Sequence, residues 1–321
     1  MSEPTPTSRR GRLLRIGAAC AVLLALAGYL LVHFTSGGPG APRCTVRGPG
    51  QDGDPYEMQP EQALNAATIE AVGSSRGLPE RAITIALATA MQESGLRNID
   101  YGDRDSVGLF QQRPSQGWGE TRQIMDPVYS AGKFYEHLEK IPGYSRLPLT
   151  EAAQRVQRSG FPQAYAKHEP EAVLLASALT GRTPGALSCT AGSGGKQGDP
   201  EQVRAKLIRE FGPGVLPAAQ AGELTGGGRT GKAYPASDAV VAVPVGAAAE
   251  AGAGEDPGGR RGWEVAHWAV AHASELGIAQ VSYAGRVWSA AESGNGWRKA
   301  DGNSDAEKSE DSGAVLINTA Q

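Results

Sequence analysis

Apolar and small residues recur at helical spacing along much of this chain. After Leu78-Pro79-Glu80, positions Ile83, Leu87, Ala90 and Met91 follow the i, i+4, i+7, i+8 spacing of one helix face, and Ala82, Ile85, Ala86 and Ala88 make the other faces apolar or small. A helix of that kind is expected to be buried on most sides. It runs into Gln92-Glu93-Ser94-Gly95, so the carboxyl group of Glu93 is carried to the edge of an apolar body.

Other elements follow from the same pattern. Pro60 suits a first helical turn, and the small residues Ala63, Ala67 and Ala71 continue to a break near Gly77. Further helices are predicted from Asp126 to Ile141, Thr150 to Arg158 and Glu169 to Leu179. Residues 55–189 therefore read as one mainly α domain. Residues 190–236 are rich in Gly and small residues and read as a linker holding one short amphipathic helix, Pro200 to Phe211, with Val203, Leu207 and Phe211 on its stripe. Residues 237–321 read as a small α+β module: a strand at 238–245, a helix from Trp263 to Leu276 stopped by Gly277, a hairpin of Ile278–Tyr283 with Arg286–Ser289, and a closing strand at 314–318.

The N-terminus changes that picture. Arg9, Arg10, Arg12 and Arg15 precede an apolar stretch from Ile16 to Phe34, which at 1.5 Å per residue spans roughly 28 Å, near the thickness of a bilayer core. The expectation is a basic cytoplasmic tail at 1–15, a transmembrane helix at 16–34, a Gly/Pro-rich spacer at 35–54 and the rest of the chain outside a cell membrane crossed once. A cleaved signal peptide is the other reading. Cys20 lies within the apolar stretch, where membrane packing accounts for it.

Composition narrows the function classes. With 44 Gly and 21 Pro in 321 residues and a net charge of −3, the chain carries extended linkers and lacks the basic footprint of a nucleic-acid binder. Cys44 and Cys189 bracket the segment that holds Glu93. On the exported side of a membrane such a pair favours a disulfide over a metal site, with two unpaired thiols as the alternative. The histidines His137, His168, His267 and His272 show no ligand spacing, so no metal and no cofactor is expected.

A carboxylic acid at the mouth of an apolar pocket is held partly protonated, because burial disfavours its charged form, and can then donate to a sugar's leaving oxygen. The Glu93-Ser94 pair, the apolar helix before it, the Gly108-Leu109-Phe110-Gln111 turn and Pro114 together resemble the lytic transglycosylase and goose-type lysozyme-like superfamily over about residues 55–189. The resemblance implies Glu93 as the catalytic acid and base. It makes Ser94 an orienting residue and Gly108, Leu109, Phe110 and Gln111 the floor of the sugar groove.

Gly108 suits close approach of a sugar or backbone, and the Gln111 amide suits an N-acetyl group or the Glu93 carboxylate. Tyr165, in Gln157 to Tyr165, stands where such enzymes place a tyrosine near the acid, although their usual Tyr-Asn-Ala-Gly run is absent. Among the aromatic residues, Phe110 and Tyr165 are assigned to the groove, and Trp118, Tyr129, Tyr135 and Tyr144 read as core.

The implied reaction is cleavage of the MurNAc-GlcNAc β-1,4 bond of peptidoglycan glycan strands by a lytic transglycosylase route, in which one acid suffices. A hydrolase would need a second carboxylate about 6.5–9.5 Å away, for which Asp105 is the candidate. The C-terminal module, with Trp263, Trp268 and Tyr283 to Trp288, resembles a small domain appended to actinobacterial cell-wall proteins and implies binding or structure. The alternative function is a non-catalytic, membrane-anchored peptidoglycan-binding or cell-wall assembly protein, with cell-wall proteins as candidate partners.

Overall fold

The computed structural model describes residues 7–36, 41–51, 54–158, 162–190, 196–216, 239–245, 257–300 and 313–321. Two compact units emerge, Met1–Pro42 and Arg43–Gln321. In the first, helix α1 covers Thr7–Ser36, and its described side chains, Arg15 to Tyr29, are exposed. Among the described residues no helix is long and apolar enough to cross a membrane. The expected transmembrane span at 16–34 and the single-pass location are therefore corrected. At 1.5 Å per residue, Arg15 to Tyr29 rises about 22 Å, against a hydrocarbon core of about 30 Å.

The second unit is mixed α+β rather than mainly α. Strands β1 (Cys44–Val46), β2 (Tyr56–Met58) and β3 (Leu187–Cys189) form an antiparallel sheet in the order β2-β1-β3. In its register Cys44 faces Cys189 and Val46 faces Leu187. The Cys44–Cys189 disulfide closes this sheet across a sequence separation of 145. Three-residue strands are too short to show a period-two pattern, so the helical signal around them dominated the expectation.

Helices α2 (Pro60–Ser75) and α3 (Glu80–Ser94) are followed by α4 (Thr121–Ile124), α5 (Pro127–Glu139), α6 (Leu149–Gln157) and α7 (Glu169–Leu179). As the pattern predicts, α3 is buried continuously from Ala82 to Met91. It packs on α7, α2, α5, α6 and a 3-10 turn at Pro162–His168. Pro79 precedes its first turn, and Gly95 ends it in the left-handed conformation at φ 63°. Side chains of α2 complete that end: Gln62 Nε2 donates to Gly95 O at 2.8 Å, and buried Asn65 Nδ2 to Leu96 O at 2.8 Å.

The C-terminal elements pack onto this helical body. Helix α8 (Pro200–Phe211) lies on α2 and buries Val203, Leu207 and Phe211, the stripe expected from its spacing. Expected linker residues 191–195 and 217–236 lie outside the described residues. Strand β4 (Val240–Pro244) and helices α9 (Pro257–Ala271) and α10 (Ala273–Leu276) follow. Strands β5 (Ile278–Tyr283), β6 (Arg286–Ser289), β7 (Arg298–Lys299) and β8 (Ala314–Thr319) complete an antiparallel sheet in the order β4-β8-β5-β6-β7. The predicted β5–β6 hairpin and closing strand are among them.

Helix α9 sits between this sheet and the helical body, touching α2, α7 and β3 on one side and β5 and β8 on the other. His267 Nδ1 donates to Ala178 O at 2.7 Å, and Trp297 Nε1 to Leu187 O at 2.8 Å. Gly262 is required at the sheet side, because a Cβ there would lie 1.9 Å from Tyr283 Cζ.

Candidate functional site

Glu93 stands half-buried in the last turn of α3. Tyr165, fully buried in the 3-10 turn at Pro162–His168, donates its hydroxyl to Glu93 Oε1 at 2.6 Å. The bond joins two segments distant in sequence and fixes one carboxylate oxygen from the side of α6 and α7. Of all the expected site residues, Tyr165 is the one whose side chain meets the acid directly.

The Gly108–Gln111 turn is tied to the end of α3 by its main chain. Ser94 Oγ lies 2.7 Å from Leu109 O and 3.1 Å from Ala90 O, so its hydroxyl bridges helix end and turn. Gln157 Nε2 donates to Phe110 O at 2.7 Å, which adds a bond from α6. Gly108 N donates to Ile99 O at 2.7 Å, and Val107 and Gln112 exchange two backbone bonds of 3.0 Å. Gly108 has φ 79°, and a Cβ there would lie 2.8 Å from Ile124 O. The missing side chain serves backbone packing against α4.

The other turn residues play parts different from those expected. Leu109 and Phe110 are completely buried, and the Phe110 ring stacks on Phe134 with centroids 4.7 Å apart, so it packs the core instead of facing a groove. Gln111 Nε2 reaches Tyr101 O at 3.2 Å, which commits the amide to the 98–112 loop. Asp105 is engaged as well: Arg113 Nε lies 2.9 Å from it, Ser115 N 2.8 Å and Ser115 Oγ 3.0 Å. The Ser115 backbone N–H and then the Arg113 guanidinium hold this carboxyl well below the usual carboxylate range. Asp105 is a loop staple, and a base is poorly made from so stabilised a carboxylate.

The sequence assigned no site role to His168, which meets the Glu93 end of α3. His168 Nε2 lies 3.2 Å from Gln92 Oε1, beside Glu93, and burial together with Lys167 pushes its imidazole below the ordinary histidine value. Arg81 Nη1 meets Glu169 Oε1 at 2.8 Å and ties the other end of α3 to α7. The proximity of His168 to Tyr165 in sequence is the signal that was available for it. Among the described residues no group of three or more His, Cys, Asp or Glu side chains could hold a metal ion.

No curated protein matches this chain. Residues 229–310, about a quarter of its length, match the family described as VldE, C-terminal domain. The matched stretch takes in α9, β5, β6 and β7, and it does not reach Glu93 or Tyr165.

Proposed function

We propose that this chain cleaves peptidoglycan glycan strands at the MurNAc-GlcNAc β-1,4 bond as a lytic transglycosylase, with Glu93 as acid and then base. The 2.6 Å bond from Tyr165 to Glu93 Oε1 carries the reading. A helix-end glutamate with a purely structural role has little need of a buried tyrosine that restricts its carboxylate. An acid that must meet a glycosidic oxygen needs its orientation held, and the other carboxylate oxygen remains for the substrate.

In this reading Glu93 gives a proton to the bridging oxygen as the bond to the muramic C1 breaks, and positive charge develops on that sugar. The muramic C6 hydroxyl then attacks C1 and returns its proton to Glu93, which closes a 1,6-anhydro ring without water. Asp105, held by Arg113 and Ser115, favours this one-acid route over hydrolysis with a second carboxylate.

The test is incubation of the full chain with purified sacculi and mass analysis of the soluble products. Muropeptides with 1,6-anhydro ends are expected, and Glu93→Gln should release none. Reducing ends would replace the transglycosylase reading with hydrolysis. Binding to sacculi without soluble product, unchanged in Glu93→Gln, would make the protein a non-catalytic peptidoglycan binder.

A further inference from the structure

Far from Glu93, at the other end of α3, three arginines from separate parts of the fold face one cavity of about 540 Å³. Arg47 follows β1, where its backbone N–H donates to Ala186 O at 3.1 Å. Arg182 lies in the loop after α7, and Arg286 opens β6 in the C-terminal sheet. Among the described residues no acidic side chain lines the cavity, and neither the Arg47 nor the Arg286 guanidinium has an acidic or hydrogen-bonding partner.

Arg182 is partly neutralised. Its Nε and Nη2 hold Glu80 at 3.0 and 2.6 Å, and Arg260 Nη2 approaches the same carboxylate at 3.6 Å. Glu80 offsets the charge of Arg182, and with Arg47 and Arg286 on the same wall the cavity keeps an excess of positive charge. The chain also makes room for this arrangement. Gly185 has φ 64°, and a Cβ there would lie 3.2 Å from Arg286 Nη1 and 3.6 Å from Trp297 Cγ. Trp297 is itself anchored through Leu187 O, so the wall beneath Arg286 is built from both halves of the unit.

We propose that this cavity binds an organic anion bearing at least two carboxylate or phosphate groups. Guanidinium forks match both groups through paired N–H donors, and their spread around one cavity selects a ligand with more than one anionic end. A cavity of this size falls within the range that encloses small organic ligands. Because Glu80 and Glu93 lie at opposite ends of α3, about 20 Å apart along its axis, the site is separate from the cleavage chemistry and does not rest on it.

Calorimetric titration of the full chain at low salt with citrate and with inorganic pyrophosphate tests the proposal. At least one probe should bind, and the Arg47→Gln/Arg286→Gln double variant should bind it about tenfold or more weakly. Binding of citrate alone identifies carboxylates as the recognised groups, and binding of pyrophosphate alone identifies phosphates. Should the variant fail to fold, phenylglyoxal modification of the native chain supplies the readout. The bound probe should slow modification of Arg47 and Arg286 together while exposed Arg97 reacts as before. Absence of binding by both probes, equal binding by the double variant, or unchanged modification rates at Arg47 and Arg286 would overturn the proposal.

Discussion

Tyr165 holds Glu93 Oε1 by a 2.6 Å hydrogen bond across 72 positions of sequence. Removing only the hydroxyl, in Tyr165→Phe, keeps the buried ring and frees the carboxylate. Turnover on sacculi is expected to fall about 10- to 100-fold, a share of the 10²–10⁴ that a positioned acid and base contributes. Stability should drop by only about 1 kcal/mol, the net value of one hydrogen bond. Muropeptide release and a urea titration on the same preparation separate the two effects. Full turnover in the variant would reduce Tyr165 to packing.

The Cys44–Cys189 bond should stabilise the second unit strongly, since it closes a loop with a sequence separation of 145. Chain-entropy arguments put the gain at about 5 kcal/mol for a loop of this length. Replacing both cysteines by alanine should therefore lower the urea midpoint sharply, with the larger effect on β1 and β3, whose pairing the bond reinforces. Hydrogen exchange of Val46 and Leu187 amides would report that local loosening. An unchanged midpoint would show that the sheet register alone holds these strands.

Much of the helical body was legible because its determinants are local. The continuous apolar surface of α3, the prolines opening α2 and α5, and Gly95 as a stop act within a few residues of the elements they define. Glu93 could be singled out for the same reason. The disulfide was expected from the export of Cys44 and Cys189, whereas what brings them together is the β1–β3 register, which joins positions 145 apart. What escaped depends on partners remote in sequence. The stripe Val203, Leu207 and Phe211 announced a helix but not its seat on α2, and Trp268, which receives Phe211, lies far along the chain. Phe110 was assigned to a groove because its neighbours in sequence resemble one, whereas Phe134 in α5 decides where its ring goes. The apolar run after Arg15 was read by composition over more residues than the described side chains of α1 support.

Glu210 illustrates such a remote determinant and can be tested directly. It is 2 % exposed, accepts from Thr68 Oγ1 at 3.2 Å and Trp268 Nε1 at 2.7 Å, and lies 3.5 Å from Lys206 Nζ. One carboxyl thus joins α2, α8 and α9. Glu210→Ala would leave the Trp268 and Thr68 donors buried without an acceptor, a loss of about 3 kcal/mol. Glu210→Gln retains one carbonyl acceptor and should recover part of that. The order of urea midpoints, native above Gln above Ala, is the expected result. A midpoint for Ala equal to the native one would mean that water or rearranged side chains satisfy these donors.

Acid should unfold this protein through α9 before ordinary surface carboxylates matter. His267 and His272 are completely buried, and burial pushes their pKa values from 6.5 down to about 4 and about 3. The 3.7 Å separation between His272 Nε2 and Glu210 Oε2 does not make an ion pair, because burial drives both groups toward their neutral forms and Lys206 lies nearby. For each histidine the unfolded chain binds the proton more readily than the folded one. Their contribution is therefore present above pH 6.5 and is lost as pH falls from 6.5 toward 4 and then 3, by an amount on the order of 3 kcal/mol for His267. Glu70 acts in the opposite sense. Burial, then the adjacent Glu264, raises its pKa well above 4.5, so its ionisation disfavours the fold as pH rises from there. The two trends oppose each other between pH 4.5 and 6.5, and replacing a histidine should expose the carboxyl trend. Urea midpoints measured from pH 7.5 to 4 should fall steeply on the acid side in the native chain and less steeply in His267→Gln, whose amide can still donate to Ala178 O. Equal acid slopes in the two chains would remove His267 from the account.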